Sequence, residues 1–408
     1  MNKIYLDNAA TTLVKKEVLK AMMPYFSHQF GNASSIHGFG REAKIAIEKA
    51  REDVAKYLNC QPKEIIFTSG GTESDNLAIR GLVNATSYLP RRQTGKLQAT
   101  SDKPHIITSA FEHHAVLDTC KDLEERGLAE VTYIKPDNKG IIDVEDIKQA
   151  IKKNTVLISI MYVNNEIGTV QPIEKIGNII KKSNKLQATR YKLIFHTDAV
   201  QAVGYQNCDI EKLGVDMLTI SAHKFGGPKG VGVLFVKDGV KLHRENIGGA
   251  QERNLRAGTY NTPGIIGMAR AIKLLQTQNS KLKTQSLLKL RDYFIEKILK
   301  EIPDTFLNGD RVKRNPNNVN ISFKYIEGEA ILLHLDKAGI AASSGSACTS
   351  GSLDPSHVLL AIGLKHEEAH GSIRFTLGDT TIKEDIDYTI SILKKTVRTL
   401  RSMSPFGE

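Results

Sequence analysis

The sequence predicts an α/β protein: a mainly parallel sheet with helices on both faces, followed by a smaller α+β domain. Two observations carry this. Between residues 64 and 236 short apolar runs alternate with segments of helical period, the pattern of repeated strand–helix units with parallel strands. Beyond about residue 261 that alternation gives way to long Lys/Leu-rich helical stretches and two or three short strands. The length of 408 residues suits two domains at roughly 100–200 residues each. The change of composition divides them into a large domain, 15–262, and a small one, 263–408, with the N-terminal segment 1–14 joined to the small one.

In chain order, the first clear element is 42–58, where Ala43, Ala46, Ile47, Ala50, Val54 and Leu58 recur three and four apart and form one apolar helix face. Asn59 reads as its stop. Strands are expected at 64–68, 105–109, 130–134, 155–161, 192–196, 216–220 and 231–236, and helices at 72–83, 113–126, 143–153 and 172–182. Pro172 suits a first helical turn, where its missing N–H costs nothing. The later part reads as helices at 268–277 and 281–301, strands near 319–324 and 372–376, and a final helix near 382–401. The polar stretches 84–104 and 183–190 read as surface loops, where extra length is tolerated.

Composition excludes several classes. Charged residues make up 25% and hydrophobic ones 40%, ordinary for a folded domain and unlike disordered or collagenous chains. The 56 Lys and Arg exceed the 45 Asp and Glu, for a net charge of +11. These cations are spread along the chain without interleaved aromatics, so a solvated surface is expected and not a nucleic-acid site. No apolar run approaches the ~18 residues of a membrane span, and the opening Met1-Asn2-Lys3-Ile4-Tyr5 lacks a signal peptide's apolar core. A cytoplasmic protein that does not enter membranes is expected. The four cysteines, Cys60, Cys120, Cys208 and Cys348, are scattered with no C-x-x-C pair. No disulfide framework or resident metal is expected, and at most one cysteine does chemistry.

Four segments carry candidate chemistry. Lys224 stands between a strand ending at Ile220 and the turn Phe225-Gly226-Gly227-Pro228. A lysine held at such a bend can point into a pocket, where desolvation frees its amine to form an imine with a carbonyl cofactor. Asp198 follows an apolar run, Lys192 to Phe195; there it serves as a helix N-cap or as the anion that keeps a pyridoxal ring nitrogen protonated. The turn Thr68-Ser69-Gly70-Gly71-Thr72 follows a strand and opens a helix, so its N–H groups and the Thr72 hydroxyl suit a phosphate dianion. His113, also just past a strand, is suited to stacking on a ring and moving a proton near neutral pH.

Together these residues resemble the pyridoxal-phosphate-dependent cysteine desulfurases of the class V aminotransferase group, in the branch that supplies sulfur for iron–sulfur clusters. The resemblance runs from Tyr5-Leu6-Asp7-Asn8-Ala9-Ala10-Thr11-Thr12 through Gly31-Asn32-Ala33-Ser34-Ser35, Thr72 to Asn76, Val163 to Gly168 and the lysine segment, to Ser343–Ser350 and Ser372–Phe375. It implies the fold type I of pyridoxal-phosphate transferases, with the cofactor in the large domain. It further implies Lys224 as the Schiff-base lysine, Asp198 as partner of the ring nitrogen, and His113 stacked on the ring. Gln201 and Asn165 would lie near the ring hydroxyl, and Gly71, Thr72, Ser221 and His223 would hold the phosphate. Thr259, in Arg256-Ala257-Gly258-Thr259, would reach that phosphate from the other subunit of a homodimer.

Cys348 decides between reactions. It lies in Ser343–Ser352, a stretch without one bulky side chain. Such a segment suits a mobile arm whose thiol enters a pocket, takes sulfur and passes it on. Arg374 would grip the α-carboxylate of an amino acid, with Asn165 also near the substrate, because its planar fork offers two parallel hydrogen bonds. The implied reaction converts L-cysteine to L-alanine and leaves a persulfide on Cys348. The sulfur would pass to an iron–sulfur scaffold, whose cluster Cys348 would touch transiently, or to a carrier for tRNA thiolation. Selenocysteine lyase, cysteine sulfinate desulfinase, another class V aminotransferase, and a basic scaffold on a dead enzyme fold are the alternatives. Segments 84–104 and 183–190 are longer than the family pattern.

Overall fold

Strands and helices alternate through most of the chain in the computed structural model, which describes residues 3–87, 103–186, 189, 191–344 and 354–403. The strands are β1 (Ile4–Tyr5), β2 (Ile65–Thr68), β3 (His105–Ser109), β4 (Glu130–Ile134), β5 (Thr155–Ser159), β6 (Ile194–Asp198), β7 (Met217–Ser221), β8 (Gly232–Val236), β9 (Thr305–Leu307), β10 (Asn318–Phe323), β11 (Ile340–Ala341) and β12 (Ser372–Thr376). The helices are α1 (Lys16–Met22), α2 (Pro24–Ser27), α3 (Gly38–Leu58), α4 (Gly71–Ser87), α5 (His114–Glu125), α6 (Val144–Ala150), α7 (Ile173–Lys185), α8 (Ile210–Leu213), α9 (Thr262–Leu275), α10 (Gln278–Glu301), α11 (Gly328–Lys337), α12 (His357–Ala361), α13 (His366–His370) and α14 (Lys383–Met403).

Among the described residues seven strands form one sheet in the order β2-β8-β7-β6-β5-β3-β4. All neighbours are parallel except β8, which runs antiparallel to both β7 and β2. β2 therefore points the same way as β7, and every strand but β8 ends on one edge. That edge is where an α/β sheet binds its ligands. Successive strand residues face opposite layers, as a period of two requires. Ile65, Phe67, Phe195 and Leu218 enter a core with Ile47 and Val54 of α3, Ile176 of α7 and Met268 of α9. Ile66, Ile194 and Met217 enter another with Ile79 of α4 and Val116 and Leu123 of α5. Helices thus cover both faces.

A separate antiparallel sheet, β12-β10-β9, packs on α10 and α14 through Phe294, Ile298, Val319, Ile321, Phe375 and Ile390. The Phe294 and Phe375 rings lie 5.1 Å apart, and truncating such a buried phenylalanine costs about 3–5 kcal/mol. Ile4 and Leu6 belong to this core, since β1 pairs with β11 and Asp7 bridges to Thr376.

Several boundaries move for local reasons. The first long helix begins at Gly38, ahead of its apolar period, because the His37 ring accepts the Gly40 N–H at 3.3 Å and caps it. Strand β6 continues through Asp198, which pairs in register with Thr219, instead of ending at 196. Pro172 precedes helix α7 and stands at its N-cap. Helix α4 extends to Ser87 and α7 to Lys185, so both expected loops begin later than 84 and 183. Within them, 88–102 and residues 187, 188 and 190 lie outside the described residues.

Candidate active site

The sheet edge is built on missing side chains. Thr68 at the end of β2 pairs with Gly232, and Gly232 pairs with Ser221 at the end of β7. A Cβ on Gly232 would stand 2.7 Å from the Gly70 backbone, so the turn after β2 folds over the edge only because position 232 has none. A Cβ on Gly71 would likewise stand 2.9 Å from Val200 Cγ2 and 3.8 Å from Ser221 Cβ. The start of α4, with its unpaired N–H groups and the exposed Thr72, is thereby pressed against Ser221. Glu73 steadies the turn: its Oε2 accepts the Ser69 N–H at 2.7 Å.

Strand β7 leads into a 3₁₀ turn, Ala222–Lys224. Thr12 pins that turn by donating its N–H and Oγ1 to His223 O at 2.8 and 2.9 Å. Lys224 Nζ donates to Ala9 O at 2.6 Å and Ala10 O at 3.0 Å, and Gln201 Nε2 donates to the same Ala9 O at 3.0 Å. Asp198, 6% exposed at the end of β6, accepts the Val200 N–H at 2.8 Å. Burial pushes its carboxyl up to about 6, against the pull of that hydrogen bond and of Lys224. Burial thus favours the acid form of Asp198, and the charge of Lys224 favours its carboxylate.

His113 caps α5, and its Nδ1 accepts the Ala115 N–H at 3.1 Å. The neutral ring therefore carries its proton on Nε2. Burial, and then the charge of Lys224, lower it to about 4, so it is neutral across the physiological range. His223 is lowered to about 4 by burial and by Lys224 and Lys229, with Nδ1 3.2 Å from Thr11 Oγ1.

Two buried acids beneath these residues have no counterpart among the candidates read from sequence. Glu112 is pushed up to about 8 by burial, although Ser109 Oγ and Met161 N both donate to it, at 2.5 and 3.0 Å. Asp75 is raised by burial and by the charge of Asp198. Burial thus favours the neutral acid at both Glu112 and Asp75, and the charge of Asp198 adds to it. A carboxylate's burial depends on contacts remote in sequence, so no local signal marks either residue.

Arg374 occupies the middle of β12 and is 3% exposed. Its Nη1 donates to Asn165 O and its Nη2 to Asp7 Oδ1, both at 2.9 Å. Arg374 Nε and Asn165 Oδ1 are buried polar atoms with no hydrogen-bond partner among the described residues. Two residues after Asp7, the same N-terminal segment presents the carbonyl that receives Lys224. Asp7, Ala9, Ala10 and Thr12 thus join the two sheets at the site. The small-residue run Ala9-Ala10-Thr11-Thr12 is the only sequence signal for this.

Thr259 is exposed, between the 3₁₀ turn Gln251–Asn254 and α9. Cys348 lies outside the described residues, but both flanks of its segment are tied to the site. Ser343 exchanges backbone hydrogen bonds with Arg374 at 2.6 and 3.1 Å. Ser356 Oγ donates to Glu166 Oε2 at 2.5 Å, and His357 Nε2 bonds Glu112 O at 2.9 Å. Cys348 follows Ser343 by five residues in the sequence, a reach of at most about 18 Å.

A family model, aminotransferase class-V, matches residues 4–389. The chain belongs to the class V aminotransferases. Cysteine desulfurase IscS of Dictyoglomus turgidum is 52% identical over 406 residues, covering 100% of this chain and 97% of that one. A solved NifS-like protein is similar with a TM-score of 0.87 and 35% identity, over 98% of this chain and 100% of its own. SspA, solved in complex with cysteine, has a TM-score of 0.78 and 37% identity, over 93% of this chain and 100% of its own. Within the class V aminotransferases, these relatives group the chain with the cysteine desulfurases, and its mixed α/β architecture is fold type I.

Proposed function

We propose that this class V aminotransferase is a pyridoxal 5'-phosphate-dependent cysteine desulfurase that converts L-cysteine to L-alanine and carries off the sulfur as a Cys348 persulfide. One observation carries the reading: Lys224 and Arg374, from different sheets, are held two residues apart on the same N-terminal segment, by Ala9 O and Asp7 Oδ1. An amine that moves protons and a guanidinium that binds carboxylates are thereby tied together beside Asp198 and His113.

The residues present fit the cofactor. The side-chain-free start of α4 at Gly71, with Thr72, Ser221 and His223 around it, suits a phosphate dianion. Asp198, whose acid form is favoured by burial, gains most from a cationic ring nitrogen. The unpartnered Asn165 Oδ1, with Gln201, suits the ring hydroxyl, and His113 the ring face. When bound, the cofactor supplies the electron sink that weakens the bonds around the substrate's α-carbon.

The chain's own residues do the rest. Arg374 takes the substrate carboxylate through its Nε edge, the side left open by Asp7 and Asn165. Lys224, as free amine, removes the Cα proton. Cys348, as thiolate, forms an S–S bond to the substrate sulfur while the Cβ–S bond breaks and its electron pair stays with carbon. Two protons then complete alanine: His113 delivers one to Cβ from Nε2, and Lys224 returns the one it took from Cα. The persulfide sulfur then passes to an iron–sulfur scaffold or a sulfur-carrier protein.

A homodimer, with each Thr259 serving the other chain's phosphate, is part of this reading. An exposed aromatic pair supports it: Phe30 and Phe39 are 65% and 55% exposed with ring centroids 5.6 Å apart, the kind of apolar surface that a partner covers. Among the described residues no helix is long and apolar enough to cross a membrane, in keeping with a cytoplasmic enzyme.

The test is one absorbance spectrum of the purified protein before and after L-cysteine, with alanine measured alongside. A visible band that changes on addition, with alanine formed, is expected. C348A should keep the band and lose persulfide formation. A colourless preparation that stays inert when saturated with pyridoxal phosphate overturns the proposal.

A further inference from the structure

The segment that carries Thr259 is held in an unfavourable backbone by an ion pair remote from the chemistry. Glu252, Arg253 and Asn254 all have left-handed φ, at +43°, +56° and +64°. Side chains other than glycine disfavour that region, and a run of them persists only where surrounding contacts enforce it. Arg253 Nη2 ties the run to the Lys63 and Ile65 carbonyls at 2.5 and 2.9 Å, and the run's buried contact is a bidentate pair: Arg51 Nη1 and Nη2 of α3 donate to Glu252 Oε2 and Oε1 at 2.8 and 2.7 Å. Both side chains are 2% exposed. Glu252 Oε2 also accepts the Phe67 N–H at 2.9 Å, and the Arg51 guanidinium lies 4.7 Å from the Phe67 ring centroid. The pair is therefore anchored in β2, just before the glycine turn.

From this anchor the chain closes on itself and returns to the same turn. Gln251 Oε1 accepts the Gly258 N–H at 3.1 Å, and Tyr260 Oη accepts the Glu252 N–H at 3.2 Å. Arg256 grips Glu73 with Nε and Nη2, at 2.7 and 3.2 Å. Glu73 is the residue after Thr72 and holds the Ser69 N–H. In the loop so tied Thr259 is exposed. A doubly buried ion pair is a poor source of stability, because apolar side chains of equal volume serve as well, but its fork geometry fixes direction.

We propose that the Arg51–Glu252 pair is a positioning element for Thr259, holding the loop in the one backbone that presents this hydroxyl to the phosphate site of the second subunit. The proposal rests on the homodimer reading above.

A double-mutant cycle on the full-length protein tests it, with pyridoxal phosphate affinity of the stripped enzyme read by absorbance titration and dimerisation by sedimentation. E252Q and T259A should each weaken the cofactor about tenfold, the order of one charge-assisted hydrogen bond. The double variant should be no weaker than either, because Glu252 acts through Thr259. Factors that multiply, or an E252Q affinity equal to wild type beside a weakened T259A, overturn the positioning role. A T259A affinity equal to wild type instead overturns the placement of Thr259 at the phosphate. Should E252Q fail to fold, R51K, which keeps the charge and loses the fork, enters the same cycle; failure of both to fold assigns the pair to stability and ends the proposal.

Discussion

The two sheets serve the site in opposite ways. The large, mainly parallel sheet offers strand ends: Asp198 closes β6, and Lys224 and Gly71 lie in the turns after β7 and β2. The small antiparallel sheet offers the middle of a strand, where Arg374 is locked between Asn320 of β10 and Ser343. At and just beyond these strand ends burial acts on groups that titrate, raising the Asp198 and Glu112 carboxyls to about 6 and 8 and lowering the His113 ring to about 4. A mid-strand position has its backbone fixed on both sides and suits a group whose charge never changes. Proton traffic and fixed charge are thus assigned to different kinds of strand position.

That division can be broken at several points. K224A, on the large sheet, should reduce turnover about 10,000-fold, the upper range for loss of a catalytic base, while far-UV circular dichroism stays unchanged; residual turnover near wild type would remove Lys224 from the chemistry. R374K should lower kcat/KM for cysteine about 100-fold, as expected for losing charge-assisted hydrogen bonds worth about 1.5–3 kcal/mol. The loss should appear mainly in KM. A fall in kcat at constant KM would show the small sheet taking part in the chemistry and blur the division.

The smallest effect concerns protons alone. In the cofactor-free protein His113 has a folded pKa of about 4, below the ~6.5 of a solvated histidine. As pH falls the unfolded chain binds this proton first, so the contribution of the neutral ring is whole above about pH 6.5 and is lost between there and about pH 4. H113N should flatten the acid limb of a melting-temperature profile by about 2 °C. A limb identical to wild type would mean that the ring is solvated, contrary to its burial at the edge.

The sequence was most legible where chemistry and local geometry coincide. Lys224 beside its glycine turn, Gly71 at a helix start and the period-two strands announce themselves within ten residues. Asp198 was legible as a strand-end carboxylate, although its strand runs two residues further than the apolar pattern shows, because ladder pairing to Thr219 carries it on. The direction of β8 was not legible, since a buried apolar run reads alike both ways. Nor was the depth of Arg374, which alone would pass for a surface cation.

The sequence by itself determined the types of the main elements, the residues able to do the chemistry and the family they resemble, because periodicity, turn residues and reactive groups are properties of short stretches. Tertiary structure alone decided which carbonyls receive Lys224, which acids are buried and that Asp7 joins the sheets. Each of these depends on desolvation and on contacts between residues as far apart as Asp7 and Arg374, and no stretch of sequence contains them.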